Sequence, residues 1–580
     1  MFVTKKKING KEYFYLRESK RLNGKIKAVT LAYLGKTKIE AIIKAEEFKK
    51  NAKKFSDDKL LSVENQNPTV LNAKGFKDKI LINKMSDKIE ENIVVDKKPI
   101  SVEELATFCK RRGFVYPSSE IYGGLAGVWD YGPAGVELKN NIKKEWWNFH
   151  VHRRDDVAGI DGAIITPSKV WEASGHLSSF YDIAVKCKKC KNATKVDASE
   201  VDKAKCEKCG GEFEVLGKFN QLFPVQMGAL NPTTAYLRGE TAQVIFTNFK
   251  LVQENARMSL PFGIAQIGKS FRNEISPREF IFRDRELEQM EMEYFIAPNQ
   301  ACPYKIKDEE ILIFSSDMQL QNHDPKIMHI SKALSSGIIK RDWHAYWIAE
   351  EISFFLSFGV NKNNFRIRQH LPNEKSHYSS DTWDLEYKFP MGWKELQGFA
   401  DRGNYDLTQH QKFSGKNLEM MDPKFGKVLP EVVCEPAIGV ERAFMLLMLE
   451  AYNYDDSRQN VVLKLNPKLA PIKVAVFPIV KKDEEAVKIS KDICERLRSD
   501  NITCEYDDSG TVGKRYARND EIGTPFCITV DSDSIKDQDV TIRDRNTTKQ
   551  IRVKISEVNE ILDKLIKGKI VFDKAGKLVN

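Results

Sequence analysis

The chain lacks long hydrophobic runs and has few cysteines. No apolar segment approaches the roughly 18 to 20 residues that cross a bilayer, and the N-terminus lacks the apolar core of a secretory signal. Ten cysteines in 580 residues are too few for a disulfide scaffold. We therefore expect a cytoplasmic protein without a membrane span, and the length predicts several domains.

The excess of basic over acidic side chains lies at one end of the chain. Lysine and arginine total 92 and aspartate and glutamate 82, a formal net charge of +10. Residues 1–60 hold 17 basic and 7 acidic side chains, so the remaining 520 residues balance at 75 of each. A basic N-terminal module on a neutral body is therefore expected, and a uniformly cationic nucleic-acid binder is excluded.

The basic module at 1–60 has the pattern of a small meander followed by a helix. The dipeptides Asn9-Gly10 and Asn23-Gly24 predict tight turns between strands, and a lysine-rich segment at 39–55 predicts a helix. Residues 61–99 have the composition of a linker. Two interpretations of the module stay open: a clamp on the backbone of a nucleic acid, or a solubilising or partner-binding appendage.

The rest of the chain divides into a long body and a C-terminal α/β domain. The capping-box pattern Ser101–Glu104 predicts a helix start, and Gly132-Pro133 precedes a second helix. A strand is expected at Gly162–Thr166, ending before Pro167. From about Pro471 a strand-helix alternation predicts a separate domain, and its last predicted helix is Val558–Ile566.

Four cysteines have metal-ligand spacing. Two C-x2-C pairs separated by 15 residues have the arrangement of a zinc ribbon: Cys187, Cys190, Cys206 and Cys209. Four thiolates close a tetrahedron with no open position, so we expect a structural Zn²⁺ without a catalytic role. The alternative is four reduced cysteines whose pairing is accidental.

An arginine-rich hairpin is the densest cluster of functional residue types. Two extended stretches flank a loop with Pro277 and several arginines, within Phe271–Phe295. Guanidinium groups bind phosphate oxygens in pairs, so this composition suits a polyphosphate ligand. In isolation such a run is more typical of a solvated charged hairpin.

Three further segments decide between these readings: Arg238–Gln243, Gly392–Gly398 and Glu435–Arg442. With the hairpin they resemble the motifs of class II aminoacyl-tRNA synthetases. Over about residues 100–580 the chain resembles, in detail, the homodimeric glycyl-tRNA synthetases shared by archaea, eukaryotes and many bacteria. The resemblance implies ATP-dependent activation of glycine to glycyl-adenylate, followed by transfer to the 3′ end of tRNA(Gly).

The resemblance also implies an α+β fold, in which helices flank an antiparallel catalytic sheet. It places a catalytic domain at 100–470, with a zinc-ribbon insertion at about 185–215 and a helical insertion at about 298–365. An anticodon-binding domain follows at 471–580. The helix at 135–149 and the strand ending at Pro167 would form motif 1, which builds the homodimer interface in class II enzymes.

Site roles are likewise implied by the resemblance. Arg272, Glu274, Arg283 and Arg442 would be the catalytic residues, and Glu395 would face phosphate-bound Mg²⁺. ATP binding is expected at Arg272, Glu274, Phe282, Arg283, Leu287, Glu395, Leu396, Gly439 and Arg442. Glycine binding is expected at Glu240, Glu291, Glu435, Ala437 and Gly439. Contacts to tRNA are expected at Lys514, Arg515, Arg518 and Arg543.

Two positions depart from the family pattern: Leu287 stands where an aromatic ring is expected against adenine, and Ala437 where serine is usual. Neither removes a charge that adenylation needs. The alternative function is a synthetase-derived RNA-binding or regulatory protein that lacks aminoacylation. For Lys514 and Arg515 the alternative is a role as ordinary turn residues.

Overall fold

The chain forms two units, Met1–Lys97 and Lys98–Asn580. The structure, a computed structural model, describes residues 2–8, 11–22, 25–35, 100–196, 201, 203–376 and 378–579. The helix predicted at 39–55 and the linker predicted at 61–99 lie outside the described residues. Within the described ranges, no helix combines the length and the apolar character of a membrane span.

The first unit contains the predicted meander. Its three antiparallel strands are β1 (Phe2–Ile8), β2 (Lys11–Leu22) and β3 (Lys25–Gly35). Ile8 pairs with Lys11 and Leu22 with Lys25, so each connection is two residues long. Two-residue hairpin loops favour Asn-Gly, which explains why these dipeptides marked the turns.

The strands of the second unit fall into two groups. Those of the body are β4 (Val115–Pro117), β5 (Trp129–Tyr131), β6 (Val157–Ile160), β7 (Ile165–Pro167), β8 (Tyr181–Cys187), β9 (Ala193–Val196), β10 (Phe213–Asn220), β11 (Phe223–Met227), β12 (Thr233–Leu237), β13 (Phe262–Phe271), β14 (Glu286–Ile296), β15 (Glu310–Phe314), β16 (Lys326–His329), β17 (Phe365–Gln369), β18 (Asp381–Phe389), β19 (Gly392–Asp401), β20 (Met420–Asp422), β21 (Gly426–Val428), β22 (Glu431–Gly439), β23 (Tyr454–Asp455) and β24 (Asn460–Val461). Those of the C-terminal part are β25 (Val474–Pro478), β26 (Cys504–Tyr506), β27 (Phe526–Val530), β28 (Asp539–Asp544), β29 (Gln550–Lys554) and β30 (Lys577–Val579).

The helices of the second unit are α1 (Val102–Arg111), α2 (Pro133–Trp147), α3 (Ser168–Ala173), α4 (His176–Ser179), α5 (Ala242–Asn255), α6 (Ser316–Leu320), α7 (Ile330–Ser335), α8 (Asp342–Leu356), α9 (Tyr405–Ser414), α10 (Val440–Ala451), α11 (Glu484–Ser499), α12 (Val512–Ile522), α13 (Ser532–Asp537) and α14 (Val558–Ile566). The capping box predicted at Ser101 and Glu104 is formed at the start of α1. Pro133 occupies the first turn of α2, where its missing N–H removes no helical bond.

A nine-stranded sheet carries the body, in the order β16-β15-β17-β18-β19-β22-β14-β13-β6. All neighbours are antiparallel except the pairs β15–β17 and β13–β6. The sheet buries one face against helices that include α8 and α10, through fully buried side chains such as Met290, Trp347 and Phe444. This is the expected α+β architecture.

Two expectations about the body are met only in part. A strand ends at Pro167 as expected, but β7 begins at Ile165 rather than at Gly162, and it lies in a small sheet with β11 and β12. The segment 298–365 is not purely helical, because β15 and β16 extend the large sheet beside α6, α7 and α8. Sheet pairing joins segments that are distant in the sequence, so local patterns do not reveal it.

A six-stranded sheet, in the order β26-β25-β27-β28-β29-β30, forms the C-terminal part. Strand β25 is parallel to β26 and β27, and the remaining neighbours are antiparallel. Helices α11 and α14 cover a hydrophobic core of its own, which includes Val476, Leu497 and Leu562. The predicted strand-helix alternation is therefore present, and α14 has the predicted bounds Val558–Ile566.

Candidate active site

A cavity of about 450 Å³ opens on the exposed face of the nine-stranded sheet. Register builds its floor, because residues directly opposite one another on antiparallel strands share a face. Glu291 pairs with Ala437, Ala437 with Gly398, and Gly398 with Asp384, so one row crosses β14, β22, β19 and β18. Every residue expected to bind ATP or glycine lines this cavity.

One end of the cavity gathers the three predicted carboxylates. Glu240, Glu291 and Glu435 are all buried, with between 1% and 7% of each residue exposed. Glu240 lies just before α5, whereas the other two come from the neighbouring strands β14 and β22. The hydroxyl of Thr241 donates a hydrogen bond to Glu291. Such a group of fixed acceptors suits a small ammonium ion.

Arg402, which sequence reasoning missed, is the cation at the centre of this end. Its side chain is fully buried in the loop after β19. It donates to Glu435 Oε2 at 3.0 Å and, with two nitrogens, to Asp406 at 2.8 and 2.9 Å. It also lies 3.8 Å from the Tyr378 ring centroid. Arg402 thus holds Glu435 in place and compensates its charge.

The carboxylates at this end differ in protonation. Burial would raise the pKa of Glu240, but His176, Arg402 and Gln243 outweigh it and hold this pKa below its usual value. Burial, together with the neighbouring acids, raises the pKa of Glu291 and raises that of Glu435 well above the usual range. Glu293 lies behind them, fully buried, and its pKa is raised by burial and by Glu435. Carboxylates so close together cannot all ionise in a buried site.

The other end of the cavity carries the predicted phosphate-binding arginines. Arg272 donates from Nε to Gly239 O at 3.0 Å, and Arg283 lines the same wall. Arg442 pairs with Glu395 Oε1 at 3.0 Å and lies 4.6 Å from the Phe282 ring centroid. The hydrophobic part of the wall includes Leu287 and the fully buried Leu396.

Glu395 has the properties of a magnesium ligand. Its carboxylate is half exposed toward the cavity, and the charge of Arg442 lowers its pKa, so it is ionised. Mg²⁺ in phosphate sites usually takes one or two protein carboxylates, with phosphate oxygens and water completing the octahedron. The donor set therefore fits Mg²⁺ bound together with a nucleotide.

The four cysteines predicted to bind zinc lie together, with all sulfurs within 4.8 Å of one another. Cys187 Sγ is 3.5 Å from Cys209 Sγ, and Cys190 Sγ is 3.6 Å from Cys206 Sγ. Thiolates at about 2.3 Å from one tetrahedral zinc are about 3.8 Å apart, so this cluster fits Zn²⁺ closely.

Comparison with known proteins identifies the family. The glycine–tRNA ligases of Borrelia hermsii and Caldanaerobacter subterraneus subsp. tengcongensis are 42% and 41% identical to this chain, over 472 and 500 residues. The alignments cover 79% and 81% of this chain and 96% and 99% of those proteins. The chain belongs to the glycine–tRNA ligase family.

Two further comparisons agree with membership of the glycine–tRNA ligase family. The family model "Anticodon binding domain" matches residues 473–565, within the predicted C-terminal domain. A crystal structure of prolyl-tRNA synthetase from Cryptosporidium parvum, complexed with halofuginone and AMPPNP, resembles the fold with a TM-score of 0.50. It covers 80% of this chain and 75% of the other at 15% identity, so it shows the class II synthetase fold alone.

In this member of the glycine–tRNA ligase family, only two of the four predicted tRNA contacts face solvent. Lys514 and Arg518 are exposed on α12. Arg515 and Arg543 are buried, contrary to expectation: Arg515 donates to the carbonyls of Pro478, Asp508 and Gly510, and Arg543 forms a two-pronged ion pair with Asp520. These two arginines support the domain from within, because buried guanidinium groups require such partners.

Sequence reasoning assigned no role to Gln243, which donates to both Glu240 and Asp406. His176 supports the same carboxylate, because its Nε2 lies 3.2 Å from Glu240 Oε2. The insertion that carries the cysteines supplies Lys195 to the cavity wall, and the residues Phe180 and Gln221 that flank it also line the wall. For Arg402, the local signal was its spacing of four residues from Asp406. This spacing is common where helices begin, so it does not single out a site residue.

Proposed function

We infer that the protein is a glycine–tRNA ligase, which activates glycine with ATP and transfers it to tRNA. The observation that supports this most directly is the cavity itself, whose lining brings three buried carboxylates together with three arginines. Family membership supports the choice of glycine, since the relatives are named for that amino acid.

We propose that the residues work by positioning and charge neutralisation. Glu240, Glu291 and Glu435 bind the glycine ammonium group, and Arg272, Arg283 and Arg442 bind the ATP phosphates. The glycine carboxylate, already a nucleophile, then attacks the α-phosphorus, and pyrophosphate leaves. No general base is required, because no proton has to leave the nucleophile.

We propose the same supporting ions that the resemblance implied. Glu395 would hold Mg²⁺, which neutralises charge on the phosphates when it is bound. The four cysteines would hold a structural Zn²⁺, which supplies folding energy to the insertion.

Three further parts of the proposal concern partners and place. Lys514 and Arg518 would contact the anticodon arm of tRNA(Gly). A homodimer is supported by apolar side chains exposed around motif 1, namely Val136, Ile164 and Ile165. Cytoplasmic location is proposed from the function, because tRNA charging for protein synthesis takes place where tRNA is available.

The N-terminal module at 1–60 keeps both interpretations, tRNA clamp or appendage. Deletion of residues 1–84 followed by tRNA binding at several salt concentrations separates them. A clamp predicts a shallower dependence of affinity on salt after deletion, because fewer counterions are released. An unchanged slope indicates an appendage.

Pyrophosphate exchange measured with each of the twenty amino acids tests the function. Exchange above background with glycine alone is expected, and Arg272→Ala should abolish it because the α-phosphate loses its cation. Absence of glycine-dependent exchange, or a full rate in Arg272→Ala, would contradict the proposal.

A further inference from the structure

The residues that flank the cysteine-bearing insertion contact the segment 272–274 of the catalytic site directly. The resemblance to class II synthetases assigns this segment to their motif 2, which binds ATP. The Phe180 ring centroid lies 5.6 Å from the guanidinium carbon of Arg272. The carbonyl of Gln221 accepts a hydrogen bond from Asn273 N at 2.8 Å. Phe180 and Gln221 flank the β10-β8-β9 sheet where it joins the body. Together with Lys195 on that sheet, they form one wall of the cavity with Arg272 and Glu274.

Lys195 is the charged member of this wall. Its ammonium nitrogen lies 3.1 Å from Glu274 Oε2 and donates to both oxygens of Asp182, at 3.0 and 3.2 Å. Glu274 is only 8% exposed, and its Oε2 is buried. A carboxylate in such a place needs a nearby cation, since burying an uncompensated charge is strongly unfavourable.

The position of Lys195 depends on the first pair of cysteines. It lies on β9, five residues after Cys190, and β9 pairs with β8 at the end where that strand runs into Cys187. Cys187 N donates to Asn192 O at 2.8 Å, which closes the turn between the two strands. A metal ion on the cysteines therefore fixes the turn from which β9 returns toward Glu274.

We propose that Lys195 is a positioning residue of the nucleotide site, delivered to motif 2 by the metal-bound cysteine turn. It acts through Glu274 by contacting this carboxylate and holding it in one orientation beside Arg272. The inference rests on the proposed assignment of motif 2 to ATP binding. Under this proposal, loss of the structural metal lowers the affinity for ATP, although the metal takes no part in the reaction.

The first test separates ATP from glycine in pyrophosphate exchange. Lys195→Met keeps the length of the side chain and removes its charge, so we expect the KM for ATP to rise about tenfold or more and the KM for glycine to change less than twofold. Lys195→Arg should restore most of the ATP KM. The matched control is Lys186→Met, an exposed lysine on β8 of the same sheet, which should leave both constants unchanged. An unchanged ATP KM in Lys195→Met would overturn the proposal.

The second test measures ATP binding at equilibrium, without turnover. A zinc-selective chelator, used with Mg²⁺ kept in excess, should weaken ATP binding to the wild-type protein about as much as Lys195→Met does. In Lys195→Met the chelator should weaken ATP binding by less than a further twofold, because removal of the metal and removal of the lysine charge disrupt the same contact with Glu274. Additive losses, or full ATP affinity in the metal-free wild type, would refute the link. Glycine-dependent exchange by the untreated wild type checks the proposed function separately.

Discussion

Replacement of Arg402 is the sharpest test of the glycine end of the site. Arg402→Met removes the buried cation that contacts Glu435 and Asp406, while keeping an apolar side chain of similar length. Its side chain is fully buried, so water cannot replace the lost hydrogen bonds. Both carboxyl groups are then left without compensation and must either take up protons or move.

The expected loss is large. Breaking a buried ion pair by removal of one partner costs about 3–5 kcal/mol, a sizeable share of the stability of an ordinary domain. Arg402→Lys keeps the charge but cannot repeat the two-pronged contact with Asp406, so about 1–3 kcal/mol is expected. Because the abandoned carboxyl groups are easier to bury when protonated, the loss in Arg402→Met should increase as pH rises.

Two measurements check this reasoning: urea unfolding for stability, and pyrophosphate exchange for substrate constants. In Arg402→Lys, which should fold, we expect the KM for glycine to rise at least about tenfold with little change in the KM for ATP. A control with an exposed arginine, Arg518→Met, should cost less than about 1 kcal/mol. Wild-type stability together with a wild-type glycine KM in Arg402→Met would show that Arg402 does not organise the site.

Three further predictions follow from the same geometry. Because burial raises the pKa of Glu435, a fall in pH protonates it and weakens its hold on ammonium, so the KM for glycine should rise as pH falls while the KM for ATP stays constant. Burial and Glu441 raise the pKa of Asp284 to about 8, so the folded wild type holds a proton that the unfolded chain releases. The free energy of unfolding of the wild type should therefore fall as pH rises from about 4 to 8, by at most about 1.4 kcal/mol per pH unit, and this contribution is absent from Asp284→Asn. The stability of the variant relative to the wild type should thus increase over this range in urea titrations. The double variant Lys514→Met/Arg518→Met should raise the KM for tRNA about fivefold in aminoacylation and leave pyrophosphate exchange unchanged, and a tRNA KM within twofold of wild type would contradict this assignment.

The helices and turns that could be predicted from the sequence are those whose sequence patterns span only a few neighbouring residues. The capping box at Ser101, the hairpin around Pro277 and the helix Val558–Ile566 each depend on neighbours a few residues away, and each is present. The two turns of the first unit were visible for the same reason. The grouping of Glu240, Glu291 and Glu435 was also predicted, through the resemblance of their motifs, and the structure places them at one end of the cavity.

The rest depends on contacts between distant parts of the chain. Arg402 lies between residues that would be read as a solvated loop, and only its contacts with Glu435 and Tyr378 mark it as central. Lys195 is one lysine among many in the insertion until it is seen beside Glu274. Arg515 and Arg543 have the composition of an RNA surface, yet their carbonyl and carboxylate partners lie inside the domain. Side-chain direction of this kind is fixed by tertiary packing, which a linear pattern does not contain.

The row of residues across the sheet has a consequence for synthesis of the chain. Strand β14 pairs with β13 as a hairpin, but its other neighbour, β22, lies far along the sequence and emerges from the ribosome much later. Until then β14 is an open edge that could pair with another chain. Glu288, Glu291 and Glu293 lie along that edge, and charged side chains on an open strand oppose pairing between copies. Glu291, which belongs to the ammonium site of the finished protein, is therefore also one of the charges that oppose aggregation of the growing chain.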